Sequence, residues 1–167
     1  RAGPLLRALI DHLGGQGFEV GDPGPFFERF ACPAGVLGRT APGPGVLADI
    51  AFGWPLARRV ADEEIGQTVV VKDGVVVAVE GLEGTDRAVQ RAGELAGPGT
   101  VVLKAGRRRQ DPRIDLPVVG DATIRGLVQA RAAALCIEAG VVPFLRREEA
   151  LALADANGLA VVARSDR

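Results

Sequence analysis

Two valine-rich runs, Thr68-Val69-Val70-Val71-Lys72 and Val75-Val76-Val77-Ala78-Val79, are separated only by Asp73-Gly74. Side chains branched at Cβ favour extended backbone, and an Asp-Gly pair suits the tight loop that joins two antiparallel strands. The spacing therefore predicts a β-hairpin over about residues 68–80. Further short apolar runs, Thr100–Lys104, Leu135–Glu138 and Leu159–Ala163, predict three more strands, and Val141–Leu145 predicts another strand or a strand edge. A short strand is also expected at Phe18–Val20.

Between these runs the periodicity becomes helical. Leu5, Leu6, Leu9, Ile10 and Leu13 predict a helix over Pro4–Leu13, stopped by Gly14-Gly15. Gly21–Pro25 reads as a turn, and Phe26, Phe27 and Phe30 as an aromatic patch. Cys32–Gly45 is loop-like in composition, rich in Gly and Pro. A helix is expected over Val46–Glu64, kinked or split near Trp54 by Pro55. Others are expected from Thr85 or Asp86 to Leu95, from Thr123 to Ala134 with Asp121 or Thr123 as cap, and over Arg147–Ala156. The alternation in the second half points to the α/β class, a mixed sheet with helices packed on it.

Composition narrows the partners. The chain has 167 residues, 47% hydrophobic but only 4% aromatic, so its core must be aliphatic. A net charge of −1 gives no electrostatic case for nucleic acid. The sole histidine, His12, rules out a multi-histidine metal site, and Cys32 and Cys136 lack metal-ligand spacing. No segment approaches the roughly 20 apolar residues that span a bilayer, so any membrane contact is expected to be peripheral. The chain opens without methionine directly into a helical pattern, as expected of a piece of a longer protein.

The chemistry concentrates in two acidic strand exits, Val79–Asp86 and Gln110–Pro117. Glu80, Glu83, Asp86, Asp111 and Asp115 crowd segments rich in Gly or Pro. If both strands share a sheet, these acids can meet at a hard cation or a phosphate-bearing ligand, since Mg²⁺ takes one or two carboxylates plus water and phosphate oxygens. Thr85 and the amides at a helix start suit a phosphate, and Arg113 and the Arg107-Arg108-Arg109 run supply countercharge. Asp115, set between Ile114 and Leu116-Pro117, needs a partner such as Arg113 or Lys104. Asp86 and Asp121 are also explained as helix caps, and Trp54 as a packing residue.

In order along the chain, these segments resemble a known family. Glu80–Asp86, Lys104, Gln110–Pro117 and Ile137-Glu138-Ala139-Gly140 are similar to the carboxy-terminal domain of UDP-2,3-diacylglucosamine pyrophosphatases of the LpxI type. Pro33–Leu37, Ala48–Ile50, Gly53-Trp54 and Ile65–Val71 fit the same order. The resemblance implies a cytoplasmic hydrolase of lipid A biosynthesis, peripheral to the membrane at most, using Mg²⁺ or Mn²⁺. Its substrate would be UDP-2,3-diacylglucosamine and its products UMP and lipid X, with water attacking the sugar-side phosphorus. It further implies a preceding amino-terminal domain that closes the cleft, residues 1–45 as the segment leading from it and 46–167 as the catalytic domain, with a homodimer as a further expectation. Asp115 and Asp111 become the candidate catalytic residues; Gly84, Thr85, Lys104, Gln110 and Arg113 the substrate-binding ones; Glu80, Glu83 and Asp86 the metal ligands; Glu138 is a further candidate. The alternative is a binding or regulatory module that keeps the fold and the nucleotide-sugar site without the reaction.

Overall fold

A computed structural model describes residues 2–108, 111, 113, 114 and 116–165. Its helices are α1 (Ala2–Gly15), α2 (Gly24–Phe27), α3 (Pro44–Asp62), α4 (Thr85–Ala96), α5 (Asp121–Gln129) and α6 (Arg147–Ala156). Its strands are β1 (Gly35–Val36), β2 (Thr68–Lys72), β3 (Val75–Val79), β4 (Val101–Lys104), β5 (Ala134–Glu138) and β6 (Ala160–Arg164). They form one sheet in the order β1-β6-β5-β4-β2-β3. Strands β4, β5 and β6 run parallel; β1, β2 and β3 join their neighbours antiparallel. The mixed α/β sheet read from the sequence is the observed one.

Strand alternation divides the core into two layers. Val70, Val102, Leu135 and Val161 face a cluster that includes Val89 and Ala92 of α4, Ile124 and Leu127 of α5, and Ala150 and Ala154 of α6. Their neighbours Val69, Val71, Val101, Leu103, Ala134 and Cys136 face Ile50, Trp54, Ala57 and Ala61 of α3. The central strands β2, β4 and β5 are covered on both faces and have no solvent side to specify, which is why they read as unbroken apolar runs. Helix α3 packs closely because residue 53 is glycine: a Cβ there would lie 2.7 Å from Leu103 Cδ1 and 3.1 Å from Val71 Cγ1.

The hairpin forms as the sequence predicts. Asp73 and Gly74 both take positive φ, 51° and 73°, the geometry of a two-residue loop matched to strand twist. Asp49, buried near the start of α3, accepts hydrogen bonds from the amides of Asp73 (3.0 Å) and Gly74 (2.7 Å). One carboxylate thus ties the turn to the helix beneath it.

Several expectations are corrected. Phe18–Val20 is not a strand: the sheet edges are β1 and β3, and without a partner its backbone has no ladder to join. Residues 35–36, read as loop, instead pair with β6. Helix α3 runs through Pro55 without splitting; Pro55 and Ala51, whose carbonyl loses its partner, lie on the exposed face where water replaces the bond. Helix α5 stops at Gln129 rather than Ala134, because Ala134 is drawn into register with Val101 of β4, and tertiary pairing overrides alanine's helix propensity. Val141–Leu145 contributes a single parallel bridge, Val119 to Phe144.

Replacing Asp49 by Ala should cost about 1–3 kcal/mol, because the two turn amides lose a charged acceptor. Urea unfolding of Asp49→Ala should show a lower midpoint at unchanged slope, with Asp49→Asn losing less.

Candidate active site at the carboxyl end of the parallel strands

The register sets Thr68, at the start of β2, opposite Lys104, at the end of β4. The chain leaving β3 stays in the ladder for one more bond, Glu80 N–H to the Thr68 carbonyl at 2.9 Å. Thr68, Glu80 and Lys104 therefore share one end of the sheet, beside the start of α4. Lys104 is only 6% exposed, and its ammonium donates to Thr85 Oγ1 at 2.8 Å. Thr85 in turn donates to Glu80 Oε1 at 3.1 Å, and Glu80 Oε2 accepts from the Gln67 amide at 3.2 Å. A buried ammonium is tolerable only with such partners.

Two glycines make this arrangement possible. A Cβ on residue 66 would lie 2.2 Å from the Glu80 carbonyl oxygen, so the backbone can pass Glu80 this closely only at glycine. Gly84, at φ 83°, turns the chain into α4 and serves as its N-cap without a side-chain bond. Thr85 is thus not the expected cap; its hydroxyl is committed to Lys104 and Glu80 instead. Likewise Gly120, not Asp121 or Thr123, precedes α5 as its N-cap; Asp121 lies in the first turn and pairs with Arg125 and Arg146.

A depression of about 330 Å³ opens here, lined by Glu83, Gly84, Thr85, Asp86, Lys104, Val118 and Thr123. Its floor combines a lysine ammonium with the amides of a helix N-terminus, both suited to an anion. A larger groove of about 900 Å³ between α4 and α5 touches it only at Asp86, lies off the strand ends, and has no comparable buried charge among its lining residues. In open α/β sheets ligands bind outside the carboxyl ends of strands, which favours the smaller depression.

The acids distribute unevenly. Glu83 turns to Arg91, whose Nη2 lies 2.6 Å from Oε1 and also reaches the Val79 carbonyl at 3.1 Å. Hydrogen bonds from its own amide and from Arg91 hold the Glu83 carboxyl below the ordinary range. Among the described residues no three His, Cys, Asp or Glu side chains are placed to hold a metal ion. Glu80 is engaged by Thr85 and the Gln67 amide, and Glu83 by Arg91. Asp111 is gripped by Arg113, at 3.0 Å from Nε and 2.8 Å from Nη2. The Gln110 and Asp115 expectations fall on residues outside those described.

On the opposite face of the same sheet end lies a feature that sequence reading missed. Arg58 of α3 forms an ion pair with Glu138 at the end of β5, both buried. The signal was present: Arg58 stands four residues after Trp54, on the helix stripe that carries Ile50 and Ala61. Arg164 on that face lies 5.8 Å from the Trp54 ring centroid, which confirms Trp54 as a packing residue. Burial pushes the Cys136 thiol up to about 12, so it is an inert core residue.

Hydrogen bonding from Arg113 pulls Asp111 down to about 2. A depressed carboxyl favours its charged form in the folded state, so this contribution is present above the ordinary carboxyl range and fades as pH falls towards 2. NMR titration should place the Asp111 midpoint near there, and Arg113→Ala should return it to the ordinary carboxyl range.

Residues 33–162 match the family model described as the LpxI C-terminal domain. The chain is similar to the UDP-2,3-diacylglucosamine pyrophosphatase LpxI of Caulobacter vibrioides, 37% identical over 166 residues, covering 95% of this chain. It spans 59% of that relative's length. Both the motif order and this match place the segments 80–86, 104 and 137–140 within one shared domain, and the chain belongs to the LpxI C-terminal domain family.

Proposed function

We propose that this chain is part of an enzyme that hydrolyses the pyrophosphate of UDP-2,3-diacylglucosamine, giving UMP and 2,3-diacylglucosamine 1-phosphate for lipid A synthesis. The observation that carries this reading is the buried Lys104 ammonium beside the α4 N-terminus, at the end of the sheet where α/β enzymes bind phosphates. The relative's activity supplies the substrate class.

In this reading Lys104, Thr85 and the amides following Gly84 take the phosphate oxygens. They hold charge that builds up as the bond to the leaving phosphate breaks, in a site already organised before substrate arrives. Thr85 donates a hydrogen bond to Glu80 while accepting one from Lys104, which fixes the direction of the ammonium. The water needs a base. Asp111 is a weak one while Arg113 holds its carboxyl near 2, so Asp115 takes the role, with Gln110 and Arg113 at the substrate.

Glu80 or Asp86 would help to hold Mg²⁺ or Mn²⁺ at this site, and the metal would supply Lewis-acid polarisation of a phosphoryl oxygen. The rest of the cleft comes from a further domain of the protein, and a second copy is a further partner. We place the enzyme in the cytoplasm with peripheral membrane contact; among the described residues no helix is long and apolar enough to cross a membrane.

Assays of UMP release by the full-length protein test the reading. Asp115→Asn should lower kcat by about 10²–10⁴-fold, and Lys104→Met should lower kcat/KM by roughly 10²–10³-fold. Chelation should abolish turnover and Mg²⁺ should restore it. Wild-type rates in both Asp115→Asn and Asp111→Asn would sink the catalytic assignment, and calorimetric binding of the nucleotide sugar without turnover would support the binding module. The isolated chain supplied with Mg²⁺ should turn over more slowly than the full-length protein.

A further inference from the structure

Gly106 is the second residue beyond β4, on the way to the acidic segment, and both of its backbone polar groups are claimed from below. Its amide donates to Glu138 Oε2 at 2.9 Å, and its carbonyl accepts from Arg58 Nη1 at 3.3 Å. Glu138 Oε1 pairs with the same Arg58 nitrogen. The side chains of Arg58 and Glu138 are 8% and 10% exposed. The space is fitted to glycine: a Cβ on residue 106 would lie 2.6 Å from Val141 Cγ1.

Further ties continue along the same few residues. Ala105 N–H donates to the Gln67 carbonyl at 3.0 Å. Arg107 reaches Glu64 at 3.3 Å, and the Arg108 amide reaches Asp62 at 3.0 Å. The contacts to Glu64 and Asp62 lie at the more solvent-accessible rim, where ion pairs add little. The Arg58–Glu138 pair is different. Its charges are out of water, so they hold one geometry or lose heavily.

We propose that Arg58 and Glu138 form a buried latch that positions the β4 exit, residues 105–108, and through it Asp111, for the hydrolytic reaction. Both are positioning residues: they act through the Gly106 backbone. The inference rests on the hydrolase reading for its kinetic consequence, though the latch itself has a readout independent of it. Misplacing a reacting group by about 1 Å costs roughly 100-fold in rate, and Gly106 lies only a few residues from Asp111.

Removing one charge alone would strand the other and unfold the region, so the informative variant removes both. Buried ion pairs replaced together by apolar groups of similar volume usually keep their stability. In full-length protein, the double variant Arg58→Met/Glu138→Leu should fold with a lowered melting temperature, since the buried Gly106 amide and carbonyl lose these partners, keep its KM, and lose about 100-fold in kcat. Trypsin should also cut it faster after Arg107 or Arg108 under native conditions. A folded double variant with wild-type kcat and wild-type cleavage would overturn the proposal, because a purely structural pair is replaceable.

Wild-type protein gives a second measurement that needs no variant. The Gly106 amide should exchange with deuterium only at the rate of global unfolding, and exchange as fast as that of exposed loops would overturn the latch. If wild type itself releases no UMP, the hydrolase reading fails, while exchange and cleavage still decide the latch.

Discussion

The pairing of β2 with β4 is the constraint on which the site depends. Antiparallel register puts Thr68 across from Lys104, and the next bond of the ladder sets Glu80 alongside. A slip of one residue would turn Lys104 toward the α3 face and Leu103 away from it. Both faces of the sheet are buried, so the slip would also exchange the two core layers. Packing of Val69, Val71 and Leu103 against α3 thereby fixes where an ammonium and a carboxylate meet.

Much of the fold was legible because its signals are local. The hairpin, α6 and the main strands follow from β-branched runs, an Asp-Gly pair and helical spacing. The failures share a cause. Ala134 reads as helix and becomes strand; Gly35-Val36 reads as loop and becomes an edge strand; Phe18–Val20 reads as strand and finds no partner. Each depends on what lies beside it in space. The site divides the same way. Lys104, Glu80 and Thr85 were marked by motif, and the structure brings them together. Their hydrogen-bond order, the steric role of Gly66 and the partnership of Arg58 with Glu138 come from contacts distant in sequence.

The chain treats its charges in contrasting ways at one end of the sheet. Lys104, Arg58 and Glu138 are desolvated and held by defined partners, so their geometry is rigid. Glu83 and Asp111 lie nearer solvent and are neutralised by arginines close by, Arg91 and Arg113. The basicity of these two acids is therefore suppressed, while the buried Lys104 lines the depression. Anion binding follows more directly from this distribution than proton abstraction by either of those two acids.

The two-residue turn at Asp73-Gly74 has a consequence for assembly as well as for shape. Closing so short a loop costs little chain entropy, whereas joining β4 to β5 requires ordering everything between them, α5 included. Hairpins close in about 1–10 μs, far faster than non-local sheets assemble. Thr68 and Glu80 belong to the local half of the molecule; Lys104 and Glu138 need the non-local half. The Lys104 end of the sheet thus joins contacts that close within a local hairpin to pairings of β4 with β2 and β5 that close over longer loops.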